Sequence, residues 1–284
     1  MSRLSFGLVL LVGILAGGLG VSLIDRGPAP LSDTDVRGII GEMIAADKAG
    51  TAPPELDRTE VTALVEDYLM SDPAILDRMS AKLAVAKKSA QRKAQAELIA
   101  ANHAAIYDDA GNVILGNPDG DVTLVEMFDY NCGYCRSALP DLATLMAEDP
   151  GLKVVLKEFP ILSEGSIDAA KVAVLVAEDA GLDYWAFHQK LFATRGQVDA
   201  GAALTAAEAI GGNRVTMMID MNSPRINDTL QKSYKLADAL NISGTPTYII
   251  GDELIPGAVG LDALRGKIAN MRACGSTVCD TPAG

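Results

Sequence analysis

An apolar run, "VTLVEMFDY" at 122–130, stops one residue short of Cys132, and Cys135 follows after Gly133 and Tyr134. The run is rich in β-branched and aromatic residues and bounded by turn formers, so it predicts a buried strand. From the cysteines to about Glu148 the pattern is helical, and "LKVVLKEFP" at 152–160 predicts a second strand. Strand, helix and strand in this order imply a parallel pair joined by a right-handed crossover. The first cysteine then sits where the strand hands over to the helix, which makes the fold class α/β.

That position has chemical consequences. A sulfur at a helix N-terminus faces unpaired N–H groups and the positive end of the helix dipole, and both favour thiolate over thiol. The thiolate is the nucleophile of disulfide exchange, and a cysteine one helical turn further on is placed to resolve the mixed disulfide. Structural zinc needs two more ligands, and His103, His188, Cys274 and Cys279 have no ligand-like spacing to the pair. Two thiolates alone are still a donor set for Cu(I), so a metal carrier using the same cysteines is a rival of another class.

Two further features belong with the pair. Strand alternation places Glu126 on the inward face with Leu124 and Phe128, where a carboxylate is costly without a partner or a task. It is placed to take and return protons beneath the cysteines, with Lys157 on the next strand as a candidate partner; an edge position in water is the plainer alternative. Far downstream, "SGTPTYII" puts Pro246 just ahead of another strand. A cis Thr245–Pro246 bond there would present Thr245 backbone groups to an extended client chain.

Leu4 to Ile24 is an uncharged, apolar stretch of 21 residues behind a single arginine. It is long enough to span a bilayer, and Ala16, Gly17 and Gly18 could alternatively form a cleavage site. Either way the rest is exported, and an oxidising compartment lets disulfides persist. Cys274 and Cys279 then read as a local structural disulfide, with a second exchange pair or a metal clip as the alternatives. The net charge of −13 argues against nucleic acid. Residues 73–101 go against that balance, carrying six basic and two acidic residues on a long helix expected from Ala74 to about Ala105. Its apolar stripe is thin and alanine-rich, which suits a helix lying on a domain or meeting copies of itself. Clustered turn residues follow at 107–121; helical sequence with breaks at Gly181, Gly196, Gly211–Gly212 and Pro224 occupies 166–240; and a hairpin and a helix at 261–272 close the chain.

"EMFDYNCGYCR", the helical insertion, "GTPTYII" and the closing helix together resemble the thioredoxin fold, and within it the DsbA-like family of exported thiol–disulfide oxidoreductases. The N-terminal extension with "YLMSDPAIL" is similar to that of the ScsC-type branch. The resemblance implies Cys132 as attacking nucleophile, Cys135 as resolving cysteine, Glu126 as buried carboxylate and Thr245–Pro246 as cis-proline loop, with no cofactor beyond the redox-active disulfide. It implies a signal anchor or signal peptide at 1–26, a linker at 27–54, a helical extension at 55–110 and a thioredoxin domain at 111–284 with an insertion at about 165–240. Expected partners are exported clients with thiols or disulfides, a membrane redox partner, and further copies of the chain through residues 60–105. The expected location is the periplasm, anchored to the inner membrane by residues 4–24 or released after cleavage. The family's typical oxidase carries Pro-His between its cysteines; Gly133-Tyr134, with threonine ahead of the proline, is similar to disulfide isomerases instead. Isomerase or reductase use is therefore favoured over net oxidation.

Overall fold

The strand–helix–strand passage at the cysteines forms the centre of a five-stranded mixed sheet in a computed structural model. The structure describes residues 58–72 and 74–279, together with Gly41 and Ala45. The expected membrane anchor at 4–24 and the linker at 27–54 lie almost wholly outside the described residues, as does Pro73. Among the described residues, no helix is long and apolar enough to cross a membrane. The chain divides into two units, one up to Arg78 and one from Met79.

In the first unit, α1 (Arg58–Ser71) leaves Val65, Tyr68, Leu69 and Met70 exposed. The helix α2 (Ala74–Ala101), which from Met79 onward belongs to the second unit, stops four residues before the expected end. The Asn102 side-chain amide donates to the Leu98 carbonyl at 2.9 Å, and this local bond competes with the helix ladder. A short α3 (His103–Tyr107) follows.

The sheet of the second unit has the order β1-β3-β2-β4-β5. β2 (Val122–Phe128) and β3 (Leu152–Glu158) pair in parallel, from Val122 opposite Leu152 to Phe128 opposite Glu158. The crossover between them is α4 (Gly133–Glu148). β4 (Thr247–Ile250) runs antiparallel to β2 and is followed through Gly251 by β5 (Glu253–Pro256). That turn places Gly251 at φ +52°, and a Cβ there would also run into the Met271 side chain. The edge strand β1 (Val113–Gly116), antiparallel to β3, was expected as part of a turn.

Helices cover both faces. On one, Leu124, Phe128, Val154 and Leu156 pack with Leu142 and Leu145 of α4 and with Leu264 and Ile268 of α10 (Leu261–Cys274). On the other, Val125, Met127, Val155 and Ile249 pack with Ile99, Ile106 and Leu240. Each such side chain stabilises the fold by roughly 1.5–3 kcal/mol relative to exposure. Between β3 and β4 lie five helices: α5 (Glu164–Glu178), α6 (Tyr184–Phe192), α7 (Ala200–Glu208), α8 (Arg214–Asp220) and α9 (Pro224–Leu240). The expected breaks occur because Ser163, Asp183, Asp199 and Asn213 cap four of these helices through their side chains, and Pro224 opens the fifth. The whole is a thioredoxin-like fold with an inserted helical region.

Candidate active site

Two side chains build the corner between β2 and α4. Asp129, fully buried, accepts from the N–H of Asn131 at 2.7 Å and from those of Ile161 and Leu162 at 2.9 Å each. This ties the end of β2 to the segment after β3. The Asn131 amide reaches into the helical insertion: it donates to the Val198 carbonyl at 2.8 Å and to Ser166 Oγ at 2.9 Å, and it accepts from the Val198 N–H at 2.7 Å. The residue immediately before the first cysteine is therefore fixed from both sides.

Cys132 is the N-cap of α4, in extended conformation. Its sulfur accepts from the Cys135 N–H at 3.3 Å and approaches the Thr245 carbonyl at 3.2 Å, across a cis Thr245–Pro246 bond. Both cysteines are free and buried, while Tyr134 between them is 71% exposed. Their environments drive the thiols apart. The Cys135 thiol is the largest cause that lowers Cys132 to about 6; hydrogen bonding from the Thr245 side chain and the N–H groups of Cys135 and Tyr134 adds to it, against an opposing cost of burial. Burial pushes the Cys135 thiol far up, and its bond to Cys132 adds to that rise. At neutral pH the first sulfur is an anion and the second keeps its proton.

Residues 123–269 match the family described as DSBA-like thioredoxin domain. The chain belongs to this family of thiol–disulfide oxidoreductases. Among solved structures, this DsbA-like protein is similar to a ScsC variant of Proteus mirabilis that carries a linker deletion and one substitution, at 30% identity and a TM-score of 0.59, over 78% of this chain and 98% of that one. It is also similar to a thioredoxin-like oxidoreductase of Silicibacter pomeroyi DSS-3, at 35% identity and a TM-score of 0.58, over 61% of this chain and 99% of the other. A curated relative, the Na(+)/H(+) antiporter NhaA 1 of Salinispora arenicola, is 25% identical over 228 residues, 78% of this chain and 34% of its own length. The chain thus spans about a third of the first curated relatives it matches.

Beneath the sulfurs of this DsbA-like site lies Glu126, 5% exposed and on the face shared with Leu124 and Phe128. Burial and then the Cys132 charge raise its carboxyl to about 8, so it is protonated at neutral pH. The expected partner Lys157 is on the other face. Register sets Glu126 opposite Leu156 and Lys157 opposite Met127, and the lysine donates to the Ala105 carbonyl and Asn112 Oδ1. The sequence reading also missed a buried polar chain in which Tyr130 bonds His188 Nδ1 and Tyr184, and Tyr184 bonds Glu158. Burial drives the Glu158 carboxyl well up, and burial lowers His188 to about 3, so the imidazole is neutral at pH 7.

Cys274 and Cys279 form a disulfide at the opposite end of β4 from Thr245. Asp252, in the β4–β5 turn, accepts from Ser276 Oγ and from the N–H and hydroxyl of Thr277. Four strand residues, about 13 Å, separate that turn from the reactive pair. Among the described residues, no group of three or more His, Cys, Asp or Glu is placed to hold a metal ion.

Proposed function

We propose that the chain is an exported protein thiol–disulfide oxidoreductase whose reaction runs through Cys132 and Cys135, with isomerase or reductase use. The observation that carries the reading is the contrast between the two sulfurs, one held as thiolate at the helix cap and the other buried as thiol. The Cys132 thiolate attacks one sulfur of a client disulfide. That S–S bond breaks, a mixed disulfide forms, and the departing client thiolate takes a proton from the Glu126 carboxyl or from water. For reduction, the Cys135 thiol gives its proton to the Glu126 carboxylate and attacks Cys132 Sγ. The bond between Cys132 and the client breaks, the client sulfur leaves as thiolate and takes a proton from Glu126 or water, and a Cys132–Cys135 disulfide remains. For isomerisation, a second client thiolate displaces Cys132 and no net electrons move. Thr245 backbone groups, beside the attacking sulfur, hold the client chain extended.

Direction follows from thiolate stability. A strong oxidant of this kind holds its cysteine at about 3.5 and thioredoxin holds its own at about 7. A Cys132 value of about 6 lies between them, which supports exchange in both directions. Cu(I) carriage is less well supported, because ligation requires both sulfurs as thiolates and burial opposes the second. Periplasmic residence, by an anchor at 4–24 or after cleavage, and association of copies through residues 60–105 belong to the same reading; the exposed Val65, Tyr68, Leu69 and Met70 support the latter. Refolding of a scrambled-disulfide protein tests the function, with Cys135→Ala and Cys132→Ala variants beside the intact chain. Cys135→Ala should accumulate a mixed disulfide and Cys132→Ala none. Oxidation of reduced client without any rescue of scrambled client would reverse the assigned direction.

A further inference from the structure

Lys157, on the sheet face opposite Glu126, lines a cavity of about 290 Å³ between the α3–β1 connection, β3 and α9. Among the described residues that line it, Lys157, Lys232 and Lys235 are basic and Asp109 alone is acidic. The chain as a whole carries a net charge of −13. Three lysines against one aspartate in a single cavity therefore run against the field of the rest of the molecule.

A structural role accounts for only part of this. Lys157 is 6% exposed and donates to the Ala105 carbonyl at 2.9 Å and to Asn112 Oδ1. Those two bonds tie β3 to the α3–β1 connection, and they use two of the three donors of the ammonium group. They give no reason for two more lysines to converge there. α9 sets Lys232 and Lys235 three residues apart, on neighbouring positions of one helix face, with the hydroxyl of buried Ser233 lining the same space. Asp109 is already shared, since it pairs with Lys232 at 3.3 Å and accepts from the Gly111 N–H at 2.7 Å. Burial lowers the Lys157 ammonium to about 8; Asp109 opposes that shift and the Lys232 charge adds to it. One carboxylate thus serves three ammonium groups, and the excess charge weighs against the fold until an anion enters.

We propose that this cavity binds a small, free oxyanion of two negative charges, phosphate or one of like size, between the Lys157, Lys232 and Lys235 ammonium groups. The occupant follows from the lining. Ammonium donors from both β3 and α9 favour an acceptor on every side, which an oxyanion has, and charge-assisted hydrogen bonds of this kind are the strong ones. The volume lies at the low end of ligand pockets, which suits an ion rather than a polymer segment. The site is independent of the exchange reading, because register sets Lys157 opposite Met127 and away from the face of Glu126.

Calorimetric titration of the full chain tests this, with sodium phosphate at pH 7 and with sodium sulfate at pH 7 and pH 9, ionic strength being held constant with chloride. Lys232→Ala with Lys235→Ala removes two exposed side chains from the cavity; Lys87→Ala with Lys88→Ala removes the same charge from exposed side chains outside it. Wild type and the α2 variant should bind both anions alike, and the α9 variant about tenfold more weakly, as expected for at least one lost charge-assisted hydrogen bond. Sulfate keeps its charge at both pH values, so weaker binding at pH 9 reports the proton that Lys157 gives up. Lys157→Met should bind weakly and show no such pH difference; if that buried substitution fails to fold, the α9 variant still decides. No saturable binding by the wild type, or equal affinity in the two double variants, overturns the proposal. Vesicles of phosphatidic acid that displace sulfate where inorganic phosphate does not would assign the site to a lipid headgroup and overturn the free anion.

Discussion

Glu126→Gln should remove a pH-dependent weakness from the fold. The Glu126 carboxyl rises from 4.5 to about 8, first through burial and then through the Cys132 charge. The folded protein therefore keeps this proton up to about pH 8, whereas the unfolded chain releases it near 4.5. Unfolding between those values releases a proton, so stability falls as pH rises through the window and levels off above it. At 1.36 kcal/mol per pKa unit the ionised carboxylate costs the fold up to about 5 kcal/mol. Cys132 acts in the opposite sense. Its thiol drops from 9 to about 6, and that stability is lost as pH falls through 6. The difference between variant and wild type reports the buried carboxyl together with its charge interaction with Cys132. Urea unfolding of the reduced proteins at pH 4, 6, 7 and 8.5 should show near-equal stability at pH 4 and an advantage of a few kcal/mol for Glu126→Gln at pH 8.5. The same variant should slow resolution of a trapped mixed disulfide by about 10²-fold at pH 8.5, since no base remains for the Cys135 proton. A constant stability difference across the series would refute the reasoning.

Asn131→Ala should cost about 1–3 kcal/mol in chemical denaturation, because the buried Val198 N–H and carbonyl lose their shared partner. The Cys132 titration midpoint should stay near 6 in that variant, since none of the groups lowering it is Asn131. Cys274→Ser with Cys279→Ser opens a small loop and should cost about 2 kcal/mol, read as a lower urea midpoint with exchange rates within about twofold of wild type. A larger fall in exchange would give the second pair a part in the reaction.

What the sequence made legible was local. Cys132 and Cys135 stand at a strand–helix junction, Glu126 shares an inward face with Leu124 and Phe128, and Pro246 precedes a strand; spacing and alternation are enough for each. Pairing across the chain was not legible. Lys157 looked like a neighbour of Glu126 until register set Leu156 there instead, turning the lysine to the other face. Asn131 carried no signal in the sequence because its partner Val198 lies 67 residues away. Glu158 ended an apolar strand with nothing nearby in sequence to bond, and its partner Tyr184 comes from the insertion. β1 is only four residues long and adjoins "NPDGD", so turn chemistry hid it.

The recessed first sulfur also decides which bonds the protein can touch. Cys132 is 4% exposed, beside a tyrosine that stands well out into solvent. Attack on a disulfide depends on access as much as on nucleophilicity. A cystine packed inside a finished protein cannot be brought down to a sulfur that is itself set below the surface. One on a loose or protruding segment can. On the proposed exchange reading, completed folds would be spared and unfinished ones reached, with no recognition of sequence needed.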